Sequence, residues 1–234
     1  MSLRVVTYNV HKCRGLDGHT SAVRIADVLR EVDADVVALQ EVLHHQAETI
    51  STELGMAFAM GANRKHGGHA YGNALLSRLP IRDTRNYDLS VAGREERGCL
   101  RADVVWDAES LHVFNIHLGT GFVERRHQGR RLIAPELLSD ITIESPRLVL
   151  GDFNEWTLGL ATRLLRSHLR SADTRLHLGW SRTYPGVLPF LHLDHIYYDP
   201  VLRLDKLSLW RTRKTLIASD HLPLAAEFTM AGEV

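Results

Sequence analysis

Seven places in this 234-residue chain put a carboxylate, an amide or an imidazole at or near the end of an apolar run: Asn9, Glu41, Asn73, His117, Asp152 with Asn154, Asp194, and Asp220 with His221. Any one alone means little. Gly151-Asp152-Phe153-Asn154 closes the apolar run 147–151, yet Gly, Asp and Asn are also the residues that turns select for backbone reasons. Together the seven make a donor set of oxygen and imidazole, without a cysteine ligand set or a nucleophilic serine motif. That set suits a hard cation such as Mg²⁺ working beside acid/base groups. Zinc fits less well, because no His-Glu-x-x-His helix or closely spaced His/Cys pairing is present. Glu41 asks for a cation most directly, since a glutamate near the end of a buried strand is almost never left unpaired.

Such side chains need rigid carriers. Residues 3–8 and 35–42 read as buried strands that deliver Asn9 with His11, and Glu41. Between them Val23, Ile25, Ala26, Val28, Leu29 and Val32 form the stripe of a helix over 21–32, with Ser21 as its N-cap. A helix is expected over 44–54, then residues 57–60 leading into a Gly- and His-rich loop over 61–69 with solvated histidines. Residues 71–77 form a strand holding Asn73, and Pro80-Ile81 begins a return strand. A charged loop at 93–98 precedes residues 99–106, whose alternation predicts a half-exposed antiparallel strand. The strand over 111–118 carries Asn115 and His117 on one face. Gly119-Thr120-Gly121 lacks the third glycine and the acidic partner of a dinucleotide site. The basic segment 124–131 predicts a helix running through residue 138, and residues 158–169 an amphipathic helix with Arg163, Arg166 and Arg170 along one side. In the strand 147–151, period-2 geometry aims Asp152 and Asn154 to one side of the carboxyl end, where α/β sheets collect ligands. Residues 191–198 and 219–224 set the remaining acids and imidazoles beside apolar strands, and 224–229 closes the last strand.

With 44% hydrophobic and 24% charged residues, the chain can bury a core as one large domain over residues 1–234, and no linker, repeat or low-complexity tract divides it. The 28 Lys and Arg balance 28 Asp and Glu, so no overall field draws a polyanion. Nucleic-acid affinity would need a local patch, such as the arginines at 125, 126, 130, 131, 163, 166 and 170 gathered together. Cys13 and Cys99 are too few for a disulfide framework and read as reduced thiols. No segment is long and apolar enough to span a bilayer, and Met1-Ser2-Leu3-Arg4 runs into a strand rather than a signal core; the expectation is a cytoplasmic monomer.

Thr7-Tyr8-Asn9, Leu39-Gln40-Glu41, Gly72-Asn73-Ala74-Leu75-Leu76-Ser77, Ile116-His117-Leu118, Gly151-Asp152-Phe153-Asn154, Leu193-Asp194-His195-Ile196 and Ser219-Asp220-His221 resemble, in order, the motifs of the endonuclease/exonuclease/phosphatase superfamily. That superfamily includes DNase I, the exonuclease III type abasic-site nucleases, neutral sphingomyelinases and inositol polyphosphate 5-phosphatases. The resemblance spans almost the whole chain. It implies an α/β fold of the DNase I-like kind, a four-layer sandwich of two mixed β-sheets flanked by helices. It implies Mg²⁺, with Mn²⁺ as a substitute, on Glu41 with Asn9 beside it and Asp220 as an additional ligand. Asp152 and Asn154 would orient the attacking water and the phosphate, and His117 and Asn73 would donate to phosphoryl oxygens. Arg97 would contact the phosphate. His221, held by Asp194, resembles the general base, with Asp152 the other candidate for that role.

The reaction implied is in-line attack of water on phosphorus, with the added negative charge stabilised by the cation and the donors. His117 resembles the histidine of the phosphodiesterase branches, where abasic-site nucleases tend to carry an amide. The expected activity is therefore phosphodiester cleavage, of nuclease type on DNA or RNA. A phospholipid or small-molecule diester stays open, because Pro185, Val187, Leu188, Pro189 and Phe190 form an apolar stretch near Asp194. A phosphomonoester also stays open. A non-catalytic binding module fits least, since every ligand position is filled.

Overall fold

The apolar runs of this chain look continuous because both faces of most strands are covered. The computed structural model describes residues 1–143, 145–155, 159–172, 182–186 and 191–232. One sheet takes β1 (Leu3–Asn9), β2 (Val36–Leu43), β3 (Ala57–His66) and β4 (His69–Ser77) from the start of the chain, and β11 (Leu202–Leu209) and β12 (Leu224–Met230) from its end. Its order is β11-β12-β1-β2-β4-β3. The other takes β5 (Ile81–Asp88), β6 (Gly98–Trp106), β7 (Glu109–His117), β8 (Arg147–Asp152), β9 (Arg170–Ser171) and β10 (Asp194–Tyr198), in the order β5-β6-β7-β8-β10-β9. β1 and β2 run parallel, as do β7 and β8, and the remaining neighbours are antiparallel.

The sheets meet face to face. Val5, Ala38, Leu75 and Phe228 of the first pack against Leu100, Val113, Leu150 and Ile196 of the second. The alternate side chains point outward, with Val6, Tyr8, Val37 and Leu39 under α1 (Ala22–Val32) and α2 (His44–Leu54). On the other side Phe114, Ile116, Val149 and Tyr197 lie under α3 (Phe122–Leu132) and α4 (Leu160–Arg166). The result is the four-layer sandwich expected from the sequence, in which each fully buried Val, Leu or Phe side chain contributes about 1.5–3 kcal/mol. Ser21 caps α1 as expected, its Oγ accepting from the Arg24 amide at 3.2 Å.

Several elements differ from the expectation. Residues 61–69 are not a loop: β3 and β4 continue to a tight turn at Gly67-Gly68 (φ 57° and 84°), with His66 opposite His69. The segment is polar because β3 is the outer strand of its sheet, where charged side chains keep the edge from pairing. β6 is mostly buried rather than half-exposed: its outward Asp103 is covered and held by Arg101 and His112. The basic helix stops at Leu132 rather than residue 138, because Pro135 pushes the residue before it out of helical conformation. α4 spans Leu160–Arg166, shorter than expected, and its expected start at Leu158 lies outside the described residues. β11 and α5 (Arg213–Ala218, capped by Thr212) are elements the sequence reading left unassigned. Among the described residues no helix is long and apolar enough to cross a membrane.

Candidate active site

Strand register brings the polar residues together. His117 stands opposite Asp152, and Asp152 opposite Asp194, so three functional side chains form one row across β7, β8 and β10. In the other sheet Asn9 ends β1 opposite Gln40. Glu41 follows on a bulge, where the register of β2 against β4 shifts between Leu39 and Val42 and Glu41 adopts φ 55°. A bulge re-aims a side chain, and a non-glycine residue in left-handed conformation is strain that persists where function holds it. Asn154 has φ 49° for a similar reason: its amide donates to Asp152 Oδ1 at 2.8 Å and tucks the chain back over the site.

A buried amide network staples the two sheets beneath these residues. Gln40 Nε2 donates to Asn115 Oδ1 at 2.8 Å, and Asn115 Nδ2 donates to the carbonyls of Leu39 and Ala74 at 2.9 and 2.8 Å. Asn73 belongs to this staple rather than to the substrate surface. Its Nδ2 donates to the carbonyls of Gly98 and Asn115 at 3.0 and 3.1 Å, so both protons expected to meet phosphoryl oxygens are engaged elsewhere.

Above the staple, Asn9 Nδ2 bridges two carboxylates, donating to Glu41 Oε1 at 3.2 Å and Asp152 Oδ2 at 3.0 Å. His117 Nε2 lies 3.9 Å from Glu41 Oε1 and 3.7 Å from Asp152 Oδ2. His221 approaches Asp152 from the other side, with its Nε2 3.8 Å from Oδ2 and its Nδ1 2.9 Å from Asp194 Oδ2. Ser219 Oγ donates to the Asn9 carbonyl at 2.8 Å and ties the loop carrying His221 to β1. Asp220 pairs with His11 at 3.1 Å.

The two imidazoles sit in opposite electrostatic settings. Burial and the Arg97 guanidinium push His117 down to about 4, so its ring is neutral at neutral pH. His221 is equally buried, but the Asp194 carboxylate outweighs burial and raises it to about 10, so it is an imidazolium. Burial pushes Glu41 up, yet His117, the Asn9 bond and Lys12 overcome it and hold the carboxyl down at about 2. Asp152 is raised, first by burial and also by Asp194, although the two imidazoles oppose this.

All expected site residues except Asn73 converge here, with Arg97 reaching the site through His117. Arg97 Nη1 is 3.1 Å from His117 Nδ1 and its Nη2 donates to Glu95 at 2.8 Å. Nothing in the sequence marks Lys12, whose Nζ is 3.6 Å from Glu41 Oε2, or Tyr71, whose hydroxyl is pushed up by burial and by the Glu41 carboxylate. Nor does the sequence mark Tyr184, whose ring lies 4.8 Å from that of His221. Lys12 and His11 sit in three successive left-handed residues ending at Cys13, a conformation that nothing in their residue types announces. Arg125 is not a solvated charge: it is buried and donates to the carbonyls of Gly119 and Thr120 at 3.2 and 2.5 Å. Of the apolar stretch near Asp194, residues 187–190 lie outside the described residues.

The donors fit a hard cation. Glu41 and Asp152 offer carboxylate oxygen, Asn9 holds the two acids together through Nδ2 while its Oδ1 accepts from the His11 amide at 3.1 Å, and Asp220 adds a partly exposed carboxylate close by. Among the described residues no three His, Cys, Asp or Glu side chains stand ready as a closed cage. Mg²⁺ is commonly bound that way, by one or two carboxylates with waters and substrate phosphate completing the shell.

Two face-packed mixed sheets with such a site at their joined strand ends define an α/β-sandwich phosphoester hydrolase. Residues 6–221 match the endonuclease/exonuclease/phosphatase family, and the chain belongs to it. Members of this family generally use divalent metal ions. The uncharacterized protein YbhP of Escherichia coli strain K12 is 34% identical over 251 aligned residues, which cover 97% of this chain and 96% of YbhP. The crystal structure of an endonuclease/exonuclease/phosphatase from Beutenbergia cavernae superposes with a TM-score of 0.82 at 22% identity, covering 99% of this chain and 72% of that one. The mannosyl-6-phosphatase Bt3783 of Bacteroides thetaiotaomicron superposes with a TM-score of 0.81 at 17% identity, over 97% of this chain and all of that one (100%).

Proposed function

We propose that the protein is a Mg²⁺-dependent phosphodiesterase of nuclease type, with Mn²⁺ able to substitute, acting as a monomer. The observation that carries this is the pair of imidazoles on either side of Asp152, within 3.7 and 3.8 Å of one carboxylate oxygen, beside the carboxylate of Glu41. Glu41 would hold the cation with Asn9 beside it and Asp220 as an additional ligand, and the cation would supply positive charge for the phosphoryl oxygens.

The chain's own groups do the rest. Arg97 can only donate, so His117 Nδ1 must accept and its proton sits on Nε2, aimed into the site as a neutral donor to a phosphoryl oxygen. The Asp194 carboxylate raises His221 and favours its protonated form, which stabilises the negative charge added in the transition state. Asp152, raised by burial, is the group that accepts the water's proton. The new bond forms between that water oxygen and phosphorus, the opposite P–O bond breaks with its electrons, and the leaving oxygen takes a proton from solvent. Asn154, at 3.4 Å from His117 Nε2 and bonded to the Leu118 carbonyl, keeps the phosphate-facing side of His117 in place.

The test is a side-by-side assay of bis-p-nitrophenyl phosphate, single-stranded and duplex DNA, phospholipid vesicles and p-nitrophenyl phosphate, each with Mg²⁺ and with EDTA. Cleavage of the diesters that stops in EDTA supports the reading. The likeness to a mannosyl-6-phosphatase makes a phosphomonoester the competing substrate, and preferential hydrolysis of p-nitrophenyl phosphate would replace this reading with that one.

A further inference from the structure

The β3–β4 hairpin continues past the site, and its outer end carries residues that the mechanism above does not use. Tyr71 is the inner landmark, buried beside Glu41, and Lys12 Nζ stands 5.9 Å from its ring centre. Arg64 places its guanidinium 4.8 Å over the same ring, and the His66 ring lies 5.8 Å from it. At the tip His66 faces His69 across the turn, and His69 packs edge to face with His45 of α2 at 4.9 Å. His45, His66 and His69 are exposed, as is Lys65 between strand and turn. A ribbon of rings and cations therefore runs outward from the carboxylate Glu41, buried at Tyr71 and open to solvent at His45, His66 and His69. Glu95 pairs with Arg64 at 3.1 Å and helps hold that guanidinium over Tyr71.

We propose that this ribbon is a track for single-stranded nucleic acid leaving the hydrolytic site. Flat rings spaced along a path, interleaved with cations, are what unstacked bases and a phosphate backbone recognise together, and each base stacked on an aromatic ring contributes about 1–3 kcal/mol. A duplex keeps its bases stacked and cannot use the rings. A lipid surface would need an apolar patch, whereas the exposed side chains here are imidazole and ammonium. The chain's balance of 28 basic and 28 acidic residues makes a local device of this kind necessary for any strand binding. The inference deepens the phosphodiesterase reading and rests on it for turnover, but not for binding.

Binding and turnover are therefore read separately, with the wild type and a His45→Ala/His69→Ala variant. Fluorescence anisotropy in EDTA measures the affinity for a labelled single strand of about 12 nucleotides, for its duplex, and for anionic phospholipid vesicles as competitor. The single strand should bind more tightly than the duplex, and the variant should weaken it about tenfold. With Mg²⁺, the ratio of kcat/KM for the oligonucleotide to that for bis-p-nitrophenyl phosphate should fall in the variant, because the small diester is too short to reach the tip. Arg64→Lys, which keeps the charge and loses the planar stack, should show part of the same loss. Equal affinity of wild type and double variant for the strand overturns the track, as does preference for duplex or for vesicles. An enzyme that binds the strand as expected yet cleaves no diester leaves the track standing and removes the phosphodiesterase reading.

Discussion

Arg97 Nη1 lies 3.1 Å from His117 Nδ1, and because a guanidinium has no acceptor this contact fixes the tautomer of a buried imidazole. Arg97, expected at the phosphate, holds His117 in the structure. Arg97→Ala should let the His117 proton move to Nδ1 and should raise the His117 pKa from about 4 toward its ordinary value. The expected outcome is a fall in kcat on the order of 10² to 10⁴, the range for a misplaced proton at a catalytic imidazole, with Arg97→Lys recovering part of it. Nitrogen chemical shifts of His117 check the tautomer independently of rate.

Glu41→Gln removes the carboxylate held at about 2 while keeping shape and the Asn9 contact. Turnover at saturating Mg²⁺ should drop by at least about 10², the scale of losing one transition-state electrostatic partner. The thermal midpoint of the wild type should rise on adding Mg²⁺ and that of the variant should not. Wild-type rate in the variant, or full wild-type rate in EDTA, would remove Glu41 from the cation site.

His221 should titrate near 10 in the metal-free protein, and Asp194→Asn should move it down by several units. The folded value is raised above the ordinary 6.5, so the pair's stabilisation is fully present below 6.5 and lost as pH rises through about 10. Proton NMR of the His221 ring follows this directly. An ordinary midpoint in the wild type would return the general-base role to His221.

Asn115→Ala deletes the acceptor of Gln40 and the donor to the Leu39 and Ala74 carbonyls in one stroke. Leaving those buried groups unpaired should destabilise the fold by about 3 kcal/mol, read from urea unfolding. Asn115→Asp should be worse, because it buries a charge that two carbonyls repel.

Asp103 is held at about 2, since its bonds to Arg101 and His112 outweigh the burial that would raise it. Its contribution, about 2 kcal/mol, is present above its ordinary value of 3.8 and lost as pH falls through about 2. The stability gap between wild type and Asp103→Asn should close across that window in acid denaturation.

What the sequence reveals follows from where water is excluded. β1, β2 and β8 are legible because burial on two faces leaves an uninterrupted apolar run, and Asn9, Glu41, His117, Asp152 and Asp194 stand out as polar residues at the ends of such runs. An edge strand breaks the rule: Asn63 and Arg64 of β3 are only half-buried and Lys65 and His66 are exposed, so a strand there reads as a loop. Partners across the sheet-to-sheet gap are equally invisible. Asn73 reads like a substrate donor, and only the carbonyls of Gly98 and Asn115 reveal its structural task. Arg97 and Lys12 likewise depend on side chains 20 and 29 positions away in the chain.

The path of the chain through the two sheets sets the order in which the site can be completed. β5 to β10 form the second sheet from one continuous stretch, whereas the first needs both β1 to β4 and the late β11 and β12. As the chain leaves the ribosome, the second sheet can close on itself while the first still waits for its last two strands. Asn9 and Asp152 are 143 residues apart, and the Ser219 bond that seats His221 spans 210. A nascent chain therefore lacks a complete site until its final strands dock.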